Sequence, residues 1–367
     1  MNRRNAAFTL VELMIAMAIV MVVLYAAINF FIVSVRQYKV QTKITETNVE
    51  GVLGLELFRQ DLENLGFGLP WNNLGSYTEK AAGASGSDLN DGNNIAPRAV
   101  LSINGGGGYT VNNSDYLVIK SARVGMSDAA GKWTTLTQTN AKRPWSPPAE
   151  NLDTTDHVIV LAVGSTDADR RSLVTSGGWD TTFGNTGGFV PVTPYSANIV
   201  YGIDNGIPVR PFNRAEYYIL SAAVPQRCAP NTGVLVKAVV EHDGTGTTPT
   251  PLPLLDCVAD MQVVYGLDTD SDGVVDSTYS DDITAMTAAV IRAQVVEVRV
   301  HILAQEGQRD DSYEYPNNNV TVGSGSAGRS FVFASSGFTS SGNVNNNFKH
   351  YRWKVYNIVV KPKNLAQ

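Results

Sequence analysis

The 367-residue chain has few of the residues that build most metal and hydrolytic centres. It contains two cysteines and four histidines, and the histidines are never spaced as a pair of ligands. This scarcity argues against a zinc site or a Cys/His hydrolase. The sequence also lacks Gly-x-Ser-x-Gly, a phosphate-binding Gly-rich loop followed by Lys-Ser/Thr, and His-Glu-x-x-His. We therefore expect the protein not to be an enzyme.

Basic charge is also scarce. The chain has 28 Lys and Arg residues against 34 Asp and Glu, a formal net charge of −6. Nucleic-acid-binding proteins usually present a basic face, so we expect no nucleic-acid partner. Glycine and proline, at 33 and 16 residues, are near ordinary globular usage, which disfavours a collagen-like or wholly disordered chain.

What the sequence does have is a long apolar stretch near its amino terminus. Residues 8–35 consist mainly of Ala, Leu, Met, Ile and Val and contain no proline. A helix of this length spans about 42 Å, enough to cross a hydrocarbon core of about 30 Å with some tilt. Arg3 and Arg4 before it favour a cytoplasmic amino terminus, although Arg36 and two lysines after it argue mildly for the reverse. The small residues Ala6 and Ala7 precede the apolar stretch, so we expect it to be retained as an anchor.

The start of this stretch carries a specific motif. Residues 7–16, Ala-Phe-Thr-Leu-Val-Glu-Leu-Met-Ile-Ala, resemble the prepilin signal of type IV pilins and type II secretion pseudopilins. The resemblance implies that a prepilin peptidase cuts between Ala7 and Phe8 and methylates the new amino group of Phe8. It also implies a leader of residues 1–7 and a transmembrane helix over 8–35. One departure is Ala7, where the family usually has glycine.

Glu12 is a carboxylate inside the apolar stretch. Such a group costs roughly 2.5–3.5 kcal/mol on membrane-insertion scales. The resemblance implies that Glu12 pairs with the amino group of a neighbouring subunit's Phe8 and so fixes axial register in a filament. Two alternatives are that Glu12 serves only in peptidase recognition and that the stretch is a plain uncleaved anchor.

Residues 36–66 predict an amphipathic continuation of the helix, which Gly66–Pro70 ends. We expect its apolar stripe to pack on a globular domain and Gly51 and Gly54 to soften the helix. The stripe is formed by Tyr38, Val49, Val52, Leu53, Leu57, Leu62 and Leu65.

Residues 67–367 predict a β-rich domain, and the whole chain an α+β fold in which the long helix packs on that domain. Residues 72–113, rich in Gly, Asn, Ser and Asp, predict loops. Alternation along the later strands places His301 on a solvated face. The predicted strands are 116–119, 157–163, 217–220, 233–240, 261–265, 293–303 and 351–360.

Parts of this domain carry a second, looser resemblance. Residues 217–220, 254–268, 296–300 and 351–352 look like the PilW family of large minor pilins and, more distantly, the J-type minor pseudopilin of type II secretion. The PilW resemblance implies a minor pilin, a structural and assembly subunit of a type IV pilus. Its implied partners are other major and minor pilins, prepilin peptidase, the inner-membrane assembly platform and membrane lipid.

The resemblance of the amino terminus to the prepilin signal implies a single-pass inner-membrane protein with a periplasmic domain, which later joins the pilus at the cell surface. In that compartment Cys228 and Cys257 can oxidise to a disulfide, the alternative being two free thiols. Two other functions stay open: a type II secretion pseudopilin, and a membrane-anchored calcium-binding adhesin that never polymerises.

One acidic loop resembles the opening of a calcium-binding loop, with Asp at positions 1, 3 and 5 and Gly273 at position 6. The twelfth position is Tyr279 rather than Glu, so Asp281 or Asp282 would have to supply a late ligand. The alternative is a solvated turn. The candidate Ca²⁺ ligands are Asp268, Asp270, Asp272, the Val274 carbonyl and Asp276.

Overall fold

The part of the chain that the computed structural model describes contains one long α-helix, one short α-helix and fifteen strands, joined by loops and short 3-10 helices. This content confirms the predicted α+β fold. The described residues are 9–72, 75–80, 88–92, 95–105, 110–164, 170–203, 206–242, 251–276, 279–317, 319–324, 327–332 and 346–365. The elements are α1 (Leu10–Glu63), β1 (Val100–Ile103), β2 (Tyr116–Lys120), β3 (Trp133–Thr137), β4 (His157–Val163), β5 (Arg170–Leu173), β6 (Asp180–Thr182), β7 (Ala197–Gly202), β8 (Arg214–Leu220), β9 (Gly233–Val240), β10 (Leu252–Leu267), β11 (Tyr279–Ser280), α2 (Ala288–Gln294), β12 (Val295–Glu306), β13 (Asn319–Ser324), β14 (Ala327–Val332) and β15 (Arg352–Val360).

The helix α1 is continuous over 54 residues, a length of about 80 Å. No proline interrupts it, and the chain leaves it through a turn in which Gly66 and Gly68 have φ values of 71° and 67°. Glycine adopts this left-handed conformation without the steric cost that other residues incur. The helix ends at Glu63, just before the Gly66–Pro70 segment.

A large antiparallel sheet forms the centre of the domain, with strand order β1-β2-β8-β9-β10-β12-β15. The first part of β10 pairs with β9, and the two-residue strand β11 pairs with its last part on the same edge. On its other edge β10 pairs with β12 over most of its length. The strand β10, with 16 residues, is thus the longest strand of the described sheet.

A second, five-stranded sheet has the order β3-β7-β4-β5, with β6 also pairing with β4. One face of this sheet, with Ile159, Leu161 and Tyr201, joins the main hydrophobic core, which α1 also enters. The opposite face has a separate core that includes Val158 and Val160. The two sheets therefore share one core.

The β13–β14 hairpin contributes to a third apolar cluster. Val320 and Val322 of β13 lie there with Leu303 of β12 and with Trp353 of β15. Both neighbouring strands of the large sheet therefore carry apolar side chains that the hairpin covers.

All seven predicted strands form, but the strand content is larger than predicted. Residues 72–113 were expected to be loops, yet they include the strand β1. The prediction of a solvated His301 is wrong, because its residue is only 6% exposed and its Nδ1 lies 2.6 Å from Asn357 Oδ1. The strand β12 lies between β10 and β15 and is covered on both faces, so alternation along it does not separate solvent from core.

Candidate assembly helix and accessory sites

The amino-terminal end of α1 is closed by reciprocal hydrogen bonds between Thr9 and Glu12. The Thr9 N–H donates to the Glu12 carboxylate at 2.9 Å, and the Glu12 N–H donates to Thr9 Oγ1 at 3.3 Å. This capping box satisfies N–H groups that have no partner within the helix. Glu12 is thus held by its own helix in the single chain. The predicted cleavage and methylation positions, Ala7 and Phe8, lie outside the described residues.

The apolar first half of α1 is exposed along its length. Its large apolar side chains from Leu10 to Phe31 are 54% to 76% exposed. Among the described residues, α1 is the one helix long and apolar enough to cross a membrane. A continuous apolar surface of this length is favourable in lipid and unfavourable in water. The structure therefore indicates membrane anchoring by the amino-terminal helix.

The second half of α1 packs on the sheet through a different face from the one predicted. The helix buries Thr47, Gly51, Gly54, Leu55, Phe58, Asp61 and Leu62. Of the predicted stripe, Leu62 and Leu65 are buried, whereas the other members are 48% to 71% exposed. The exposed members are Tyr38, Val49, Val52, Leu53 and Leu57, which we call the outer apolar face. The buried face includes Gly51 and Gly54, which were not part of the predicted stripe. Their lack of a side chain allows the helix to lie close to the sheet.

Three contacts fix α1 on the sheet. A Cβ atom on Gly54 would overlap the Leu254 carbonyl of β10, so the two backbones are in direct contact. The Phe58 ring stacks on Tyr217 of β8 with centroids 4.3 Å apart. Asp61 accepts a hydrogen bond from the Tyr217 hydroxyl and lies 2.6 Å from Lys237 Nζ of β9. The helix position is therefore set by backbone contact, ring stacking and a buried ion pair.

Cys228 and Cys257 are joined by a disulfide, as predicted, with Cα atoms 4.9 Å apart. The adjacent Arg227 guanidinium lies 2.7 Å from the Asp256 carboxylate and 3.3 Å from that of Glu50 on α1. The disulfide thus joins the loop before β9 to β10, close to Glu50 of α1.

The acidic loop gathers three carboxylates. Ligand-capable oxygens of Asp268, Asp270 and Asp272 lie within 4.8 Å of one another. The backbone N–H groups of Gly273, Ser271 and Asp272 donate to Asp268. Burial alone would raise the pKa of Asp268, but these three donors together lower it. The charge of Asp272 is the main cause that raises the pKa of Asp270.

The later carboxylates considered as calcium ligands, and Tyr279 at the twelfth position, have other partners. Asp276 accepts from the Thr269 N–H at 3.0 Å, and the Tyr279 hydroxyl donates to Glu297 at 3.1 Å. Asp281 accepts from Asn104 at 2.8 Å, and Asp282 accepts from the Thr284 N–H at 2.8 Å. The structure therefore brings together three of the predicted ligands, and neither candidate late ligand is directed to them.

A buried ionic cluster was not predicted. Lys120 Nζ lies 2.6 Å from Glu79 and 2.5 Å from Asp91, and Arg214 lies 2.6 Å from Glu79 and 2.8 Å from Glu216. The side chains of these five residues are at most 2% exposed. Complete pairing offsets the cost of burying such charges. The cluster fixes the segment before β1 against β2 and β8, and its members come from separate parts of the sequence, so no local pattern marks it.

An exposed apolar helix with a carboxylate at its first turn, packed on a β-rich domain, defines a membrane-anchored protein with a pilin-like layout. Residues 2–28 match the family model described as the prokaryotic N-terminal methylation motif. Residues 216–364 match the model described as type IV pilus-assembly protein W. The chain is thus similar to PilW-family proteins and to proteins of the prepilin type. No curated protein and no solved structure matches it. The two families indicate a structural pilus component rather than an enzyme.

Proposed function

We propose that this protein is a minor pilin, a structural and assembly subunit of a type IV pilus. The observation that carries the proposal is the exposure of apolar side chains on α1 beyond the apolar stretch of residues 8–35. The outer apolar face continues to Leu57 and lies outside the set of residues that α1 buries against the sheet. A lipid anchor alone does not need this extension, whereas a helix that packs among other helices does.

Assembly would begin with cleavage between Ala7 and Phe8 by prepilin peptidase and methylation of the Phe8 amino group. The helix would then leave the lipid, with the inner-membrane assembly platform, and pack among helices of other major and minor pilins. The apolar surface remains out of water in both environments, so this transfer has a low hydrophobic cost. The β-rich domain would stay in the periplasm and later reach the cell surface in the pilus.

Glu12 would provide the register of this packing. Its carboxylate is bound by Thr9 in the single chain, and a neighbouring amino group would offer it an opposite charge. A buried charge pair is much more favourable than either charge alone at low dielectric. Subunits one step out of register would lose this pair.

A type II secretion pseudopilin would use the same helix, and the family match over residues 216–364 supports the pilus instead. A membrane-anchored adhesin would use the helix only as an anchor. These functions differ in whether Glu12 is needed after the protein has reached the membrane.

The test is a Glu12→Ala variant expressed in cells that lack the wild-type protein. We expect membrane insertion to be retained and surface piliation to be impaired. The matched control is Glu46→Ala, which removes an exposed carboxylate of the same helix that pairs with Lys43. Amino-terminal sequencing of the recovered protein should begin at Phe8. Wild-type piliation by Glu12→Ala, or a sequence beginning at Met1, would contradict the proposal.

A further inference from the structure

Three arginines surround one tryptophan just beyond the end of α1. The guanidinium carbons of Arg292, Arg171 and Arg170 lie 4.7, 5.0 and 6.0 Å from the centre of the Trp71 ring. We call these four residues the Trp71 cluster. Trp71 follows the turn after α1, Arg170 and Arg171 begin β5, and Arg292 belongs to α2. Three separate parts of the domain thus meet at this point.

A β-bulge brings the two consecutive arginines to the same ring. Side chains at neighbouring positions of a regular strand point to opposite faces. In β5, Ser172 pairs with Ala162 and Arg170 pairs with Val163, so Arg171 is an extra residue without an opposite position. Its φ of 53° lies in the left-handed region, which is unusual for a residue with a side chain. This local irregularity places both guanidinium groups beside Trp71.

The cluster is fixed by the backbone and by neighbouring side chains. The Trp71 N–H donates to the Arg171 carbonyl at 3.1 Å, and the Asn72 amide donates to Ser172 Oγ at 2.8 Å. These bonds hold the segment after α1 against β5. Because the backbone that carries Trp71 and Arg171 is held in place before any ligand arrives, little ordering of this backbone would be needed on binding.

Positive charge dominates the cluster. The ion pairs found between described residues leave Arg170 and Arg171 without a carboxylate. Burial lowers the pKa of Arg171, and the nearby charge of Arg170 lowers it as well, against the opposing effect of Tyr201. The guanidinium groups stay charged, so a concentrated positive charge sits on a chain of net charge −6.

We propose that the Trp71 cluster binds an anionic group, a phosphate or a carboxylate, carried by a ligand from outside this chain. Planar guanidinium groups bind both anions through paired hydrogen bonds. The indole ring holds guanidinium planes by cation–π contact. The guanidinium of Arg170 is exposed to solvent, where an anion can reach its N–H groups. The cluster lies about 40 Å along α1 from the end of the apolar stretch, so the anchoring membrane is not the ligand. The site is independent of the proposed assembly function.

The test is calorimetric titration of the full chain, held in uncharged detergent micelles, with inorganic phosphate and with citrate. Sodium chloride at the same ionic strength serves as the reference. We expect saturable binding of at least one of the two anions. Binding of phosphate alone would support a phosphate-bearing ligand, and binding of citrate alone a carboxylate-bearing one. No saturable binding of either anion, or equal heat from chloride, would overturn the proposal.

Two variants locate the binding. Arg170→Gln removes an exposed guanidinium. Arg171→Gly removes a half-buried one, which also donates to the Gly66 carbonyl at 3.4 Å, at a position where glycine suits the backbone. We expect each to weaken binding about tenfold, as loss of a charge-assisted hydrogen bond does. The control is Arg143→Gln, which removes an exposed arginine stacked 4.3 Å from the Trp145 ring. Unchanged binding in both cluster variants, or equal weakening in the control, would refute the site; thermal unfolding would verify that each variant is folded.

Discussion

Gly54 of α1 lies in direct contact with the Leu254 carbonyl of β10, with no room between them for a Cβ atom. About one helical turn earlier, a Cβ atom on Gly51 would meet side chains alone, at 3.0 Å from Leu255 Cδ1 and 3.9 Å from the Tyr356 hydroxyl. The sequence-based expectation was that these glycines soften the helix. Their packing gives them another role, since the small residue sets the distance between helix and sheet.

We therefore predict that two matched substitutions change the free energy of unfolding by different amounts. Alanine favours a helix over glycine by about 1 kcal/mol, and Gly51→Ala should leave the free energy of unfolding nearly unchanged because Leu255 can move. Gly54→Ala should lower it by about 2 kcal/mol, because a backbone carbonyl cannot yield in the same way. Denaturant unfolding of the full chain in micelles, followed by near-ultraviolet circular dichroism, measures both. Equal stability of the two variants would show that the helix is not held at this distance.

The buried carboxylate of Asp61 gives a second prediction. Asp61 is 8% exposed and binds Tyr217 and Lys237. Asp61→Ala should lower the free energy of unfolding by about 3 kcal/mol, since it leaves a hydroxyl and a partly buried ammonium without their partner. The control is Glu63→Ala, two residues later, whose partner Lys363 has a side chain 71% exposed. It should cost about 0.5 kcal/mol. Similar losses from both variants would contradict a special role for Asp61.

Periodicity and composition were sufficient for the helix and for seven of the strands, namely β2, β4, β8, β9, β10, β12 and β15. The apolar stretch of residues 8–35 has no competing local structure, and residues 233–240 and 351–360 are rich in Val and other β-favouring residues. The strands β3 and β6 escaped prediction because Trp133–Thr137 and Asp180–Thr182 are short and mostly polar. Such strands form because neighbouring strands pair with them, which is information from distant parts of the chain.

The docking face of α1 could not be predicted for a related reason. Apolar spacing identifies the most apolar side of a helix. On α1 that side is the exposed outer apolar face, which includes Val52 and Leu57, and not the side that packs on the sheet. The buried side is set by the close contact of Gly54 with the β10 backbone and by the ion pair of Asp61. Neither residue adds to the hydrophobicity of that side. The Trp71 cluster could likewise not be predicted from the sequence, because it depends on a bulge at Arg171 and on contact between three segments of the chain.

His242 gives a prediction about pH. The residue is fully buried, its Nδ1 accepts from the Val209 N–H at 3.4 Å, and its Nε2 lies 3.1 Å from Asn213 Oδ1. Burial, helped by the charge of Arg210, lowers the pKa of His242 from 6.5 to about 2. The unfolded chain therefore takes up a proton as pH falls below about 6.5 while the folded chain does not. Stability from this group is complete above that pH and is lost as pH falls.

Other buried groups act in the opposite direction, since burial raises the pKa of Asp115 to about 7 and that of Asp260 to about 6. The useful quantity is therefore the difference in the free energy of unfolding between the wild type and His242→Gln. We expect the wild-type advantage to shrink by about 2 kcal/mol between about pH 7 and about pH 5. Chemical denaturation at several pH values measures it, and a constant difference would mean that His242 takes up its proton over the same pH range in the folded and the unfolded chain.

The acidic loop supplies the last prediction, that it binds calcium weakly. Asp268, Asp270 and Asp272 hold their oxygens within 4.8 Å of one another, and the repulsion between the last two raises the pKa of Asp270. A hard cation relieves this repulsion, but the loop lacks a carboxylate at its twelfth position, so we expect a dissociation constant of about 1 mM. Asp270→Ala should abolish the calcium heat in calorimetry of the full chain. Asp128→Ala, which removes a 79% exposed carboxylate elsewhere, should retain it. If the wild type gives no heat at millimolar calcium, the loop is a solvated turn whose carboxylates are satisfied by its own backbone N–H groups.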